Sequence, residues 1–444
     1  MVTMTETSPN SQGNIKKAIP VILFFFIFAL IIDNSFKLIS VEIANDLNIS
    51  VTTVSWQATL AGLVIGIGAV VYSSLSDTIS IRSLLNAGII LIVIGSLMGY
   101  IFSDSFIMIL ISRVIQTAGL AAAETLYLVF VTKHLPKSEQ KKFLGFSTSS
   151  YSLSLIFGSL AGGYVSTYLH WTTLFLIPLL SLLLIPFISK YLPKEKAKRS
   201  HLDIVGLVLI AAIATSIMLF IANFNWLYIL IFVASLTIFL IYISKKTNSI
   251  IHISFFKNKH YMSTLVVAFV IYSVQLGYIF MFPFVLQSLY GLQLDTISLL
   301  LLPGYVTAVI VGALSGKIAN KLSSRQTIFI AMSSIIVSLI LPGLLINGPV
   351  VVFVLSMMLF SGAFALMYAP LLERCVSTIS VERTGTAIGF YNLTLNVAAS
   401  IGIAYTAVMI DKFNFSIVLY TLAAVSAVAI LLYWGLARKL STSA

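Results

Sequence analysis

The sequence predicts an all-α membrane protein of fourteen transmembrane helices, and three observations carry that expectation. Of its 444 residues, 59% are hydrophobic and only 9% charged, against roughly 25% charged in a soluble domain, so polar side chains are too few to cover a globule in water. Apolar runs long enough to cross about 30 Å of hydrocarbon, roughly 20 residues each, recur along the whole chain. Lysine and arginine gather in alternate connections between those runs, the arrangement that fixes loops on the cytoplasmic side.

Residues 1–17 are polar and end in Lys16-Lys17, which predicts a cytoplasmic tail. No small-residue cleavage site follows the first apolar run, so that run reads as a retained helix and not as a signal peptide. Spans then begin near residues 18, 54, 84, 106, 143, 172, 202, 226, 261, 296, 326, 349, 383 and 414. With the N-terminus inside, 23 of the 26 basic residues fall on inside segments, Lys412 alone falls in an outside loop, and Lys37 and Arg113 lie within spans. Only an even number of spans gives this bias, which places both termini in the cytoplasm. The net charge of +12 is thereby spread over many short loops instead of forming the single basic patch that nucleic acid requires. The one cysteine, Cys375, excludes an intrachain disulfide, and no Cys/His cluster has the spacing of a zinc site. Neither a metal nor any other cofactor is expected.

Four ionisable residues interrupt the spans: Asp33 and Lys37 in the first, Arg113 and Glu124 in the fourth. Each costs about 2.5 to 3.5 kcal/mol at mid-membrane, so each calls for a partner or a function. Asp33 stands about 22 Å above the inner end of its helix at 1.5 Å per residue, and Arg113 about 10 Å below the outer end of its own, which brings the two to one level. Glu124 follows Arg113 by three helical turns and shares its face with Gln116 nearby, and the same count places Glu124 near the inner surface. The Asp33 carboxylate either couples protons or only fixes packing. Lys37 either bridges to Asp33 or snorkels to the outer rim, and Glu124 is either a coupling carboxylate or a solvated one. In the ninth span, Tyr272, Gln275, Tyr278, Phe282 and Pro283 fall on a plausible cavity wall.

Two loops repeat. Ser73-Ser74-Leu75-Ser76-Asp77-Thr78-Ile79-Ser80-Ile81-Arg82 follows the second span, and Gly316-Lys317-Ile318-Ala319-Asn320-Lys321-Leu322-Ser323 follows the tenth. Both resemble the G-x-L-A-D-R-x-G gating loop of the major facilitator superfamily, with serine for glycine at 73 and 80 and Asn320 for an acid. The halves of that family repeat after six helices, whereas these loops lie eight spans apart. The resemblance therefore implies two six-helix bundles, residues 18–192 and 261–437, with two inserted helices over 202–243. Arg113-Val114-Ile115-Gln116-Thr117-Ala118-Gly119 is similar to the helix-four motif of the fourteen-helix drug:proton antiporter branch, whose arginine is associated with proton transfer. Gly158-Ser159-Leu160-Ala161-Gly162-Gly163 is similar to its antiporter motif, with Ser159 where proline is usual. Leu202-Asp203-Ile204-Val205-Gly206 and Leu302-Pro303-Gly304 match the same branch.

Within that branch, Asp33-Asn34-Ser35-Phe36-Lys37, Ser55-Trp56-Gln57-Ala58-Thr59 and Leu75-Ser76-Asp77 resemble chromosomal tetracycline exporters of Gram-positive bacteria. More distantly they resemble the class K and L tetracycline pumps, which carry an acid in helix five where Tyr151 to Gly163 has none. The resemblance implies a monomeric antiporter of the bacterial cytoplasmic membrane. It would export tetracycline, as a magnesium complex in the class K and L pattern, or other amphiphilic drugs, in exchange for protons. Asp33, Arg113 and Glu124 are then candidates for proton coupling, and Asn34, Lys37, Gln116, Tyr272, Gln275 and Tyr278 for substrate contact. Asp77, Arg82, Gly316 and Asn320 would serve the gating loops, and Gly158, Gly162 and Gly163 the antiporter motif. Residues 312–318 lack the spacing of a phosphate-binding loop, leaving an ion gradient as the energy source. Export of fatty acids, lipids or a metabolite is the alternative, with a receptor or channel behind it, and no catalytic cluster suggests an enzyme.

Overall fold

A computed structural model describes residues 9–76, 79–193, 203–245, 257–319, 321–379 and 384–441. The first half comprises α1 (Pro9–Leu38), the short α2 (Ser40–Asp46), α3 (Val51–Leu75), α4 (Ile81–Ile101), α5 (Phe106–His134) and α6 (Lys137–Tyr168). It closes with a sixth segment of two 3-10 stretches, Trp171–Phe175 and Ile177–Leu184, followed by α7 (Ile185–Tyr191). The inserted pair is α8 (Ile204–Asn223) and α9 (Trp226–Lys245). The second half comprises α10 (Lys259–Tyr290), α11 (Leu294–Ala319), α12 (Ser324–Leu344), α13 (Val351–Val376), α14 (Thr384–Lys412) and α15 (Phe415–Ser441).

Thirteen of the described segments are long and apolar enough to span a bilayer. The fourteenth is α6, which hydropathy alone passes over because serines and the charged residues of its first two turns dilute it. Its 32 residues nonetheless reach about 48 Å at 1.5 Å per residue, and it packs along α1 on one side and α11 on the other. The sixth span departs from the regular helix the sequence suggests. Pro178 and Pro186 each remove a backbone donor there, and the chain tightens to bonds three residues apart, as from Leu176 N to the Thr173 carbonyl at 2.9 Å. The tail expected over residues 1–17 is already helical from Pro9.

The halves meet along two seams, α3 against α14 and α6 against α11. The inserted pair seats on the first. Ala214 and Met218 of α8 pack with Leu63 of α3 and Ala404 of α14 in a small apolar cluster of their own, while α9 packs chiefly on α8. The Asp203 carboxylate holds the pair together: Oδ1 accepts from Gly206 N at 3.1 Å, capping α8, and also accepts the Tyr242 hydroxyl of α9. That is the structural use of the Leu202 to Gly206 motif, of which Leu202 lies outside the described residues.

The α3–α4 turn, the lysine-rich end of α5 and the start of α10 share one face, called here the basic face. The opposite face carries α2 and the start of α3. Among the described residues, the hydrogen bonds that join the halves all lie at this opposite face. Gln287 donates to Glu42 Oε1 and accepts from Asn45, both at 3.0 Å. The Tyr168 hydroxyl donates to Asp295 Oδ2 at 2.9 Å, and Asp295 N donates to Thr167 at 3.1 Å. Asp411 of α14 accepts from Val51 N at 3.0 Å and Thr52 N at 2.7 Å, capping α3 from the other half of the molecule.

Candidate functional site

Asp33 lies five residues before the end of α1 and is 3% exposed. Its Oδ2 is 2.5 Å from Lys37 Nζ, one turn along the helix, and its Oδ1 is 3.3 Å from Arg113 Nη2 on α5. Arg113 is 0% exposed. Its other arm, Nη1, donates to Gln116 Oε1, and Gln116 Nε2 donates to Ser96 Oγ on α4 at 2.8 Å. The guanidinium lies 4.2 Å over the Phe36 ring, adding a cation–π contact. A planar fork with several donors serves a carboxylate, an amide and a ring together, which a lysine ammonium does not. The desolvation of these charges is thus offset by mutual pairing and charge-assisted hydrogen bonds. Lys37 bridges to Asp33, and its side chain is 17% exposed.

Glu124 sits elsewhere than the helix-end count placed it. That count assumed a span of ordinary length, but α5 continues to His134, so Glu124 lies ten residues short of the end and deep in the helix. It is half-buried, within electrostatic reach of Asp33 and Lys37, and makes no hydrogen bond or ion pair with another described residue. The expectation of a carboxylate near the inner surface is corrected accordingly.

Asn34 donates to Ser154 Oγ of α6 at 3.2 Å. With Lys37 it lines an apolar pocket between the halves, closed by Ser159, Leu276, Tyr305 and Ile403. Tyr272 points toward Phe364 of α13, ring centroids 5.5 Å apart. Gln275, one turn further on that face, is half-buried with no hydrogen bond to a described residue. Tyr278 is a correction. It is 0% exposed, packs on Phe360 at 4.7 Å, and its hydroxyl pairs at 2.7 Å with Ser356, which in turn donates to the Ser338 carbonyl. That tyrosine ties three helices of the second half together and faces no cavity.

The antiporter-motif glycines act by close approach. A Cβ at Gly158 would stand 2.8 Å from Asn34 Cβ, one at Gly162 2.9 Å from the Ser35 carbonyl, and one at Gly163 2.6 Å from the Leu294 carbonyl. The first two seat α6 on α1, where Ser35 also donates to the Gly158 carbonyl at 2.9 Å, and the third seats α6 on α11. Of the gating residues, Arg82 begins α4 and Gly316 lies in the last turn of α11, while Asp77 and Asn320 lie outside the described residues. Beside Asp77, Lys133 donates to the Ser76 carbonyl at 2.8 Å and to its hydroxyl at 3.2 Å. Sequence reasoning had counted that lysine only as a loop charge.

Comparison with known proteins agrees with this architecture. The chain is 26% identical over 413 residues to "Quinolone resistance protein NorB" of Staphylococcus aureus strain bovine RF122 / ET3-1, covering 88% of each. The protein of the same name from strain MSSA476 is 26% identical over 415 residues with the same coverage. Among solved structures, a POT family transporter in complex with 5-aminolevulinic acid superposes with a TM-score of 0.72 at 14% identity, over 95% of this chain and 96% of that one. A D-xylose-proton symporter gives 0.67 at 14% identity, with the same coverage. The family model described as Major Facilitator Superfamily matches residues 21–403, which takes in the buried charge network, both seams and the inserted pair. The chain belongs to the Major Facilitator Superfamily, a family of multi-pass membrane transporters.

Proposed function

We propose that the protein exports amphiphilic aromatic drugs, tetracyclines or quinolones among them, in exchange for protons by alternating access, with the basic face and both termini in the cytoplasm. The observation that carries this reading is the intramembrane quartet of Asp33, Lys37, Arg113 and Glu124, in which Asp33 holds two cations and Glu124 holds none. Two cations and two carboxylates are neutral when all are ionised. One proton on Glu124, or one cationic drug beside it, leaves a single positive charge. A proton on Glu124 removes the negative charge that a cationic drug would pair with, and leaves the excess positive charge of Lys37 and Arg113 to repel it, so proton and drug exclude one another. Competition of that kind in a site open to alternate sides is antiport. The serine- and tyrosine-lined interior, the resemblance of the first span to tetracycline exporters and the quinolone-resistance name of the relatives all favour an aromatic drug as cargo.

The test is uptake driven by a proton gradient into inside-out vesicles, with tetracycline and a quinolone, each with and without magnesium. Wild type is expected to accumulate drug; Glu124→Gln and Asp33→Asn are expected to lose at least tenfold of the gradient-driven component. Accumulation by Glu124→Gln equal to wild type would remove Glu124 from the coupling step, and no gradient-driven uptake of either drug by wild type would overturn drug:proton exchange. A magnesium requirement would show that the drug travels as its metal complex.

A further inference from the structure

Away from the space between the halves, α12 begins and α15 ends at the basic face, and between them lies a groove of about 290 Å³. That is close to the lower end of the roughly 300 to 1,000 Å³ usual for small-molecule sites. Helical spacing builds its α12 wall in two tiers. Arg325 and Gln326 stand in the first turn, and Phe329 and Ile330 follow them by four residues each, so the apolar pair lies one turn deeper on the same side. Tyr433 and Trp434, near the end of α15, form the opposite wall. The deeper tier meets hydrocarbon: Phe329, Ile330 and Trp434 are 48%, 43% and 44% exposed, and an exposed tryptophan near the end of a span sits at headgroup level.

The upper tier is a set of donors without an anion. Arg374, in the last turn of α13, backs the groove: its guanidinium lies 5.1 Å from the centroid of the Tyr433 ring, and Nη1 donates to the Tyr433 hydroxyl at 3.4 Å. Among the described residues neither Arg325 nor Arg374 pairs with a carboxylate. Glu373, the acid next in sequence, accepts instead from the Ser324 hydroxyl at 3.2 Å. Tyr433 is 4% exposed, and its hydroxyl, having accepted from Arg374, donates to no described residue. The Gln326 side-chain oxygen accepts from Ser323 N at 3.1 Å and from the Ser323 hydroxyl at 3.0 Å, which leaves its amide nitrogen as a donor. A buried hydroxyl with its proton unspent, in one groove with Arg325 and backed by Arg374, calls for an acceptor that carries negative charge.

We propose that this groove binds an anionic phospholipid, its phosphate on Arg325, Gln326 and Tyr433 and an acyl chain against Phe329, Ile330 and Trp434. The groove is cationic at its mouth and apolar one turn deeper, and a phospholipid is divided in the same way; a soluble anion would use the upper tier alone. The cytoplasmic leaflet supplies such lipids, and basic pockets between spans on that side suit their headgroups. Assignment to the inner leaflet rests on the basic face being cytoplasmic, whereas the binding is independent of cargo and of proton exchange.

The experiment is quenching of tryptophan fluorescence in the full-length protein, reconstituted in phosphatidylcholine vesicles that contain dibrominated phosphatidylglycerol or, in parallel, dibrominated phosphatidylcholine. The Trp434 signal is the difference between each protein and its Trp434→Phe counterpart. Wild type is expected to prefer phosphatidylglycerol at Trp434 by at least fivefold, and Arg325→Gln to lose about fivefold of that preference, the worth of one cation at an anionic surface. Arg325 is exposed and unpaired with any described carboxylate, so the Tm of the variant is expected to match wild type. Lys245→Gln removes a charge from the same face at the end of α9 and is expected to change nothing. Equal losses from Lys245→Gln and Arg325→Gln would reduce the effect to diffuse attraction, and equal quenching of wild type by the two brominated lipids would abolish the preference; either result overturns the site. Excess soluble glycerol phosphate is expected not to relieve the quenching. Relief would make the ligand a free phosphate and overturn the lipid.

Discussion

Arg113 shows most directly how one residue answers to several constraints. Removing it leaves Asp33 buried with Lys37 alone and orphans the Gln116 amide oxygen, and breaking a buried pair from one side costs about 3 to 5 kcal/mol. Arg113→Ala is therefore expected to lower thermal stability sharply in detergent, followed by size-exclusion after heating. Combined with Asp33→Asn, the loss is expected to be smaller than the sum of the two single losses, since each change breaks the same Asp33–Arg113 pair; strict additivity of the two would show that the side chains are not coupled. This pair was legible in the sequence, because charges are rare in apolar spans and depth can be counted along a helix. The surroundings of Glu124 were not, since nothing local marks that α5 continues to His134. Nor could spacing tell Tyr278, whose face of α10 meets other helices, from Tyr272, whose face meets the interior.

Whole elements were read well where composition dominates and less well where neighbours decide. The count of fourteen spans includes α6, whose length and position outweighed its serines. The 3-10 course of the sixth span was missed, because two prolines permit several outcomes and packing against α4 selects one. The Asp411 cap was hidden for another reason. A residue 360 positions away supplies what the first turn of α3 lacks, and Ser50, the local cap, accepts from Thr53 N at 3.1 Å and reaches neither Val51 N nor Thr52 N. Asp411→Ala removes a charged cap worth about 0.5 to 2 kcal/mol and is expected to loosen closure of the opposite face. With Cys375 replaced by serine, Asn45→Cys and Gln287→Cys should join rapidly through a short bifunctional maleimide, and more slowly once Asp411 is alanine. An unchanged rate would assign closure to the Tyr168 and Thr167 contacts with Asp295.

At the scale of the molecule, the two halves and the inserted pair make a twelve-helix transporter with an accessory hairpin. Deleting residues 204–245 removes two spans, so the charge bias of every later loop is preserved, and on the seam it uncovers apolar side chains such as Leu63, Trp56 and Ala404. The shortened chain is expected to insert with its second half in the native orientation, checked by reporter fusions to the later loops; deleting α9 alone is expected to invert that half. The hairpin also alters how the protein meets its surroundings. A fold with two like halves would present the same seam on both flanks, but here α8 stops up the one between α3 and α14, leaving only the seam of α6 and α11 uncovered. A molecule dissolved in the lipid thus finds a single flank from which the interior can be approached, and the protein has a front and a back within the plane of the bilayer.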